Sequence, residues 1–257
     1  MVYQTRDYLH LNFDFFHYAG FCFCSTVCSY NFHWWLTPYS VSESIRVKWT
    51  HDHRLLHLAL IVLGALGSLY FLIFFIEDWH WIAIAALLTF LYSAPKVPMP
   101  AFAWLRKIAI GKTIFLSFVW TYVTSVLPIA LSHSAFGNRE VLFCLSRFFL
   151  IYPICILFDY RDRENDKQEG IRSMITYLGE GGISRLFYFS LLVFLLSTMA
   201  LYREGFSALQ VVNLLLPGIV VACIYPYSRR NFSDYHFYFL LDGLMMFSAL
   251  LTLVFRI

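Results

Sequence analysis

Apolar runs long enough to cross about 30 Å of hydrocarbon recur along this chain from end to end. They lie at about 16–36, 55–76, 79–93, 113–132, 140–158, 184–202, 207–227 and 236–255, about eight in all, the third of them short. Backbone groups in lipid must be satisfied within one segment or by closure into a barrel. Barrel strands alternate apolar and polar positions over about ten residues, whereas these runs are longer and uniformly apolar. The expectation is therefore an all-α integral membrane protein, with about eight transmembrane helices forming a single domain over 1–257. Composition agrees: 60% of the 257 residues are hydrophobic and 14% charged, against about 25% charged in a soluble domain.

The loops set the expected orientation. Those at about 37–54, 94–112, 159–185 and 228–235 hold 14 of the 19 Lys and Arg residues: Arg46, Lys48, Arg54, Lys96, Arg106, Lys107, Lys112, Arg161, Arg163, Lys167, Arg172, Arg185, Arg229 and Arg230. The other side keeps Arg6, Arg139, Arg147, Arg203 and Arg256. By the positive-inside rule the first set is cytoplasmic, which puts both termini outside. The opening "MVYQTRDYLHLNFDF" lacks the charged start, apolar middle and small-residue cleavage site of a signal peptide, so the first apolar helix is expected to direct insertion. Glycine-rich nucleotide loops and nucleic-acid signatures are not evident, and the net charge of +3 is accounted for by the cytoplasmic loops.

Six cysteines, Cys22, Cys24, Cys28, Cys144, Cys155 and Cys223, fall inside the expected spans, where a small polarisable side chain packs well. Thiolates in lipid need a closed tetrahedral site that the Cys22, Cys24 and Cys28 spacing does not supply alone, so packing is expected. His51, His53 and His57 with Asp52 are open to two readings, a metal site or a polar segment at the membrane surface. The chain also carries a hint of two halves. "YSAPK" (Tyr92 to Lys96) and "YPYSR" (Tyr225 to Arg229) each end a span and lie four spans apart, as internal repeats do. Tyr and Arg also favour membrane interfaces in their own right.

The strongest local signal is "FDYRDREND", Phe158 to Asp166. At about 100° per residue, Asp159, Asp162 and Asp166 fall within an arc of about 60°, with Glu169 about 20° beyond it. Carboxylates so close raise one another's pKa unless something neutralises them. Mg²⁺ suits that task, because it commonly bridges one or two carboxylates to substrate phosphates. Lys96, Lys167, Arg172 and Arg229 are expected on the same side, where they match a diphosphate in charge. The other reading of the stretch is a solvated loop whose Asp and Arg pair locally.

The run "DYRDRENDKQEGIRSMITYLG" resembles the second aspartate-rich motif of the UbiA superfamily of intramembrane prenyltransferases. Asp159, Asp162 and Asp166 match Asp-x-x-Asp-x-x-x-Asp, followed by Gly170, Arg172, Leu178 and Gly179. Tyr92 and Lys96 resemble the family's Tyr-x-x-x-Lys element, and "LLDGLMM", with Asp242 and Gly243, looks like its final helix. The resemblance covers most of the chain after residue 80. It implies a helical bundle around a central cavity, with Mg²⁺ held by Asp159, Asp162 and Asp166. Lys96, Arg172, Lys167, Tyr92 and Asn31 would contact an isoprenyl diphosphate whose prenyl group passes to an aromatic or other lipophilic acceptor.

Two departures qualify the match. The family's first motif has the form Asn-Asp-x-x-Asp-x-x-x-Asp. Here Asn31 matches, while Phe32, Trp35 and Tyr39 stand at the aspartate positions, and no carboxylate follows before Glu43. Only about fifteen residues precede the first span, which aligns with the family's second, so a wall helix is expected to be missing and a partner or second copy to replace it. The sequence thus holds open a Mg²⁺-dependent prenyltransferase and a non-catalytic lipid-diphosphate-binding or assembly protein. A transporter, suggested by the two halves and by Asp242 within a span, is a third possibility.

Overall fold

The computed structural model describes residues 1–36, 45–97, 99, 112–168 and 173–255. These form twelve α-helices joined by short 3₁₀ and π turns, and the described residues contain no strand. In chain order the helices are α1 (Val2–Leu9), α2 (Phe15–Trp35), α3 (Ile45–Asp52), α4 (Arg54–Leu72), α5 (Trp79–Ser93), α6 (Lys112–Thr121), α7 (Leu127–Leu131), α8 (Asn138–Gln168), α9 (Met174–Tyr177), α10 (Glu180–Ala200), α11 (Ala208–Ser228) and α12 (Asp242–Phe255).

Among the described residues six helical segments are long and apolar enough to cross a membrane: Arg54–Ser93, Thr113–Leu131, Asn138–Glu164, Glu180–Glu204, Ala208–Ser228 and His236–Phe255. The protein is accordingly a multi-pass, all-helical membrane protein. This count differs from the expected eight for two local reasons. α4 and α5 run on as one helical stretch through a 3₁₀ joint, Ile73–Asp78, bent at Phe75. α2 has the length to span, but its His, Ser, Thr and Asn residues keep it below the apolarity of the other six. A second difference lies at the acidic stretch. It is not a loop, because α8 continues past the expected end at 158 to Gln168.

The chain divides into two compact units, one of Phe13–Arg106 and one of Met1–Asn12 with Lys107–Ile257. In the first, α2 opens at Asp14, whose carboxylate accepts the His17 N–H at 3.3 Å, the usual device for an orphan amide of the first turn. α2 and α4 then meet at very short range. A Cβ on Gly64 would stand 2.7 Å from the Cys28 backbone nitrogen and 2.8 Å from the Cys24 carbonyl oxygen. Ser25 and Ser68 hydrogen-bond across the pair at 3.0 Å. Small residues and a hydroxyl pair between helices are what draw helices together where no water drives the association. Cys24 and Cys28 therefore serve as packing surface, and all six cysteines are free thiols.

In the second unit α8 is the central element. Its Ile151, Ile154, Ile156 and Leu157 are at most 1% exposed, and they join Phe187 of α10, Val221 of α11 and Leu244 of α12 in one core cluster. Pro153 sits inside α8; membrane helices tolerate this where neighbouring helices cover the freed carbonyl. α11 begins with a reciprocal capping box, Ser207 N–H to Gln210 Oε1 at 2.9 Å and Gln210 N–H to Ser207 Oγ at 3.2 Å.

The opening segment, ahead of the first expected span, is a helix with one face buried. Gln4, Thr5 and Tyr8 of α1 are each 1% exposed. Gln4 Nε2 donates to Thr252 Oγ1 at 3.0 Å, and its Oε1 accepts from Ser248 Oγ at 3.1 Å. Asn213 Nδ2 lies 2.7 Å from Tyr8 Oη and 3.0 Å from the Ser248 carbonyl. Arg147, in the middle of α8, joins this network through Ser146 at 3.1 Å and Ser248 at 3.4 Å, with its guanidinium over the Phe143 ring at 5.5 Å. The sequence counts Arg147 on the outer side within the expected span 140–158, and the folded chain buries it to 1% exposure among hydroxyls.

Candidate functional site

Asp159, Asp162 and Asp166 sit on the last three turns of α8. Because the helix is unbroken there, their spacing of three and four residues puts them on one face, spread over about 10 Å along the axis at 1.5 Å per residue. Their surroundings differ. Asp159 is buried, at 6% exposure, and accepts a short hydrogen bond from the Thr113 hydroxyl of α6. Asp166 is also buried, at 7%. The side chain of Asp162 is 39% exposed, which makes it the carboxylate of the three that an incoming group reaches first.

Both oxygens of Asp162 face Arg161, with Nε to Oδ1 at 2.7 Å and Nη2 to Oδ2 at 3.1 Å. The same guanidinium donates to the Tyr238 hydroxyl at 2.9 Å. It also lies over three rings: Phe237 at 4.8 Å, Tyr238 at 4.9 Å and Phe158 at 5.3 Å. Such stacking suits the planar, weakly hydrated guanidinium. The Arg161 side chain is 8% exposed, and its Nη1 is 4.0 Å from Asp234.

A second cluster ties α8 to its neighbours. Glu180, the first residue of α10, receives Arg163 Nη1 at 2.6 Å on one oxygen, and the Tyr160 hydroxyl at 3.1 Å together with Arg229 on the other. Arg163 also donates to the Leu178 carbonyl at 2.8 Å. Arg229 stacks over Tyr160 at 5.3 Å and Tyr225 at 5.6 Å. The Tyr160 hydrogen bond, with Glu180 beside it, raises the Arg229 pKa above its ordinary value. Lys167, expected at the diphosphate, is paired with Glu164 at 2.8 Å. Arg172, Glu169, Gly170 and the Tyr39 and Glu43 positions lie outside the described residues.

Asn31, Tyr92 and Lys96 belong to the other unit, where they gather at one end. Asn31 donates to the Val27 carbonyl at 2.7 Å, and its Oδ1 meets His57 Nδ1 at 2.7 Å. Tyr92 stacks on His33 with ring centroids 5.1 Å apart, and Lys96 lies 5.8 Å over Trp34. Arg54 lies over Trp35 at 4.9 Å. Two rings at this end of the unit, Trp34 and Trp35, thus carry cations on their faces. His53 and His57 both contact Trp49 here.

Among the described residues no three His, Cys, Asp or Glu side chains converge to hold a metal ion. An all-protein metal cage therefore does not fit. An ion bridging one or two carboxylates to a bound diphosphate needs fewer protein oxygens, and Asp162 and Asp166, one turn apart, are suited to provide them. Thr113, Glu180 and Tyr238 carry much of the local geometry, although no motif marks them in the sequence. The one visible signal is Glu180 directly after the Leu178-Gly179 step, where a helix N-terminus favours an acid. Comparison with known proteins finds no matching protein family, curated protein or solved structure.

Proposed function

We propose that this chain is a UbiA-like membrane protein that binds an isoprenyl diphosphate with Mg²⁺ at the C-terminal end of α8 and transfers the prenyl group to a lipophilic acceptor. The observation that carries this reading is the unbroken course of α8 through Asp159, Asp162 and Asp166, which aligns the three carboxylates on one face at the end of a membrane span. In this reading that end faces the cytoplasm, and about eight crossings complete the topology, with the Arg54–Ser93 run counted as two and α2 as a further crossing.

When bound, Mg²⁺ supplies positive charge to the leaving diphosphate. The protein's part is to position and neutralise. Asp162 and Asp166 offer oxygen ligands, and the Thr113 hydroxyl fixes the Asp159 carboxylate. Arg172, which follows the acidic stretch in the sequence, supplements the charge on the diphosphate. The apolar span surfaces lodge the prenyl tail and keep water from the electron-poor carbon released by the departing diphosphate.

A non-catalytic lipid-diphosphate-binding protein is the second reading. Its support is specific: Phe32 and Trp35 stand at two carboxylate positions of the first motif, and Trp35 carries Arg54 on its face. One pair of measurements addresses both readings. Binding of a non-hydrolysable geranylgeranyl diphosphate analogue to the detergent-purified protein is expected to require Mg²⁺, and Asp162→Ala is expected to abolish the metal dependence. No binding with or without Mg²⁺, in protein shown to be folded, would sink both readings. Binding without diphosphate release, when hydrolysable substrate and a panel of acceptors are supplied, selects the second.

A further inference from the structure

The acidic motif carries its own cation. Arg161 closes both oxygens of Asp162, the most open of the three carboxylates, in a bidentate pair. That pair blocks the oxygens a metal ion needs. An ion pair with one partner 39% exposed is weakly held on its own, so the pair is displaceable, and the structure already contains a second seat for the displaced guanidinium. Nη2 is bonded to Tyr238, and Nη1 is buried with no hydrogen-bond acceptor, 4.0 Å from the Asp234 carboxylate. Phe158, Phe237 and Tyr238 hold the guanidinium plane from its faces. A small rotation of the Arg161 head therefore exchanges Asp162 for Asp234 without taking the charge out of its aromatic cage.

We infer that Arg161 is a resident counter-ion that masks Asp162 until a divalent cation and a diphosphate arrive together, and that it then moves onto Asp234 while keeping its bond to Tyr238. This rests on the proposed function above. Charge is conserved in the exchange: the pair Arg161–Asp162 is neutral before it, and afterwards Arg161 is matched by Asp234 while Asp162 faces the metal. Because the masked state competes with the bound state, the apparent metal affinity is lowered by the fraction of molecules that are unmasked. The site is thereby biased against Mg²⁺ alone and towards Mg²⁺ delivered with the diphosphate. Arg161 acts here as a positioning residue.

The experiment is a Mg²⁺ titration of geranylgeranyl diphosphate analogue binding to the full chain in detergent, for wild type, Arg161→Gln, Arg161→Lys and Arg161→Gln/Asp162→Asn. Removal of the mask is expected to lower the half-saturating Mg²⁺ concentration in Arg161→Gln by about 5- to 150-fold, the usual span of a coupling between sites. Lysine, a point charge without the fork, should fall between the two, and the double variant should lose the metal dependence. Thermal unfolding of each variant establishes that it is folded. A merely structural Arg161 would shift the melting temperature and leave the half-saturating Mg²⁺ unchanged, which overturns the inference while the proposed function stands. Weaker binding in Arg161→Gln does the same and makes Arg161 a diphosphate ligand. Failure of both wild type and Arg161→Gln to bind under any Mg²⁺ concentration overturns the inference and the proposed function together.

Discussion

Arg147 and Asp162 show how differently one charge is handled at two depths of the same helix. Asp162 is partly exposed and paired with the adjacent arginine. Arg147 is fully buried, makes no ion pair among the described residues, and is met by the hydroxyls of Ser146 and Ser248. A buried charge served only by neutral partners is costly, and here the network around it leaves Arg147 Nε and Asn213 Oδ1 buried with no hydrogen-bond partner. Asn213 is its hub, since its amide reaches Tyr8, Thr252 and the Ser248 carbonyl. Asn213→Ala is expected to cost roughly 1–3 kcal/mol, the penalty of leaving buried polar groups without partners, and to release α1. Thermal unfolding and protease cleavage within Val2–Leu9 measure the two effects. By contrast, Arg147→Met, which removes the charge and keeps the length, is expected to leave the melting temperature equal or higher. The three aspartates of α8 are legible in the sequence because a spacing of three and four is a local property of a helix. Their partners are not: Thr113 is 46 positions from Asp159, and Tyr238 is 77 from Arg161.

Among the helices, close approach rather than apolarity decides which pairs form. Gly64 meets backbone atoms of α2, whereas Gly218 of α11 meets the Phe194 ring of α10, which an added Cβ would approach to 2.1 Å. The two sites respond differently to the same change. Gly218→Ala overpacks against a side chain, so Phe194→Leu in the same protein is expected to restore the melting temperature. Gly64→Ala overpacks against main chain at Cys24 and Cys28, and no neighbouring side-chain truncation relieves it. Each single change is expected to cost about 1–3 kcal/mol. The spans are legible because a length of apolar sequence is a sufficient signal for a membrane helix. Their joints are not, because the Ile73–Asp78 turn bends a run that stays helical, and because the continuation of α8 to Gln168 rests on Arg163 and Tyr160 finding Glu180.

At the scale of the whole molecule, the proposed orientation, with the end of α8 in the cytoplasm, rests on the asymmetry of Lys and Arg among the loops. In a cysteine-free background, Glu164→Cys is expected to resist a membrane-impermeant maleimide in intact cells, and Ala135→Cys to react. Opposite labelling would reverse the orientation. The sequence by itself determined the class of protein, the approximate spans and the shared face of Asp159, Asp162 and Asp166, because hydropathy and helical period act over a few residues. Tertiary structure alone decided that the opening segment is a helix with one face buried, that Arg147 is an interior residue, that Asp162 is covered by Arg161 and that Glu180 gathers Arg163, Tyr160 and Arg229. Those outcomes depend on which side chains meet after distant helices pack, and burial changes what a charge costs by more than its own residue type reveals.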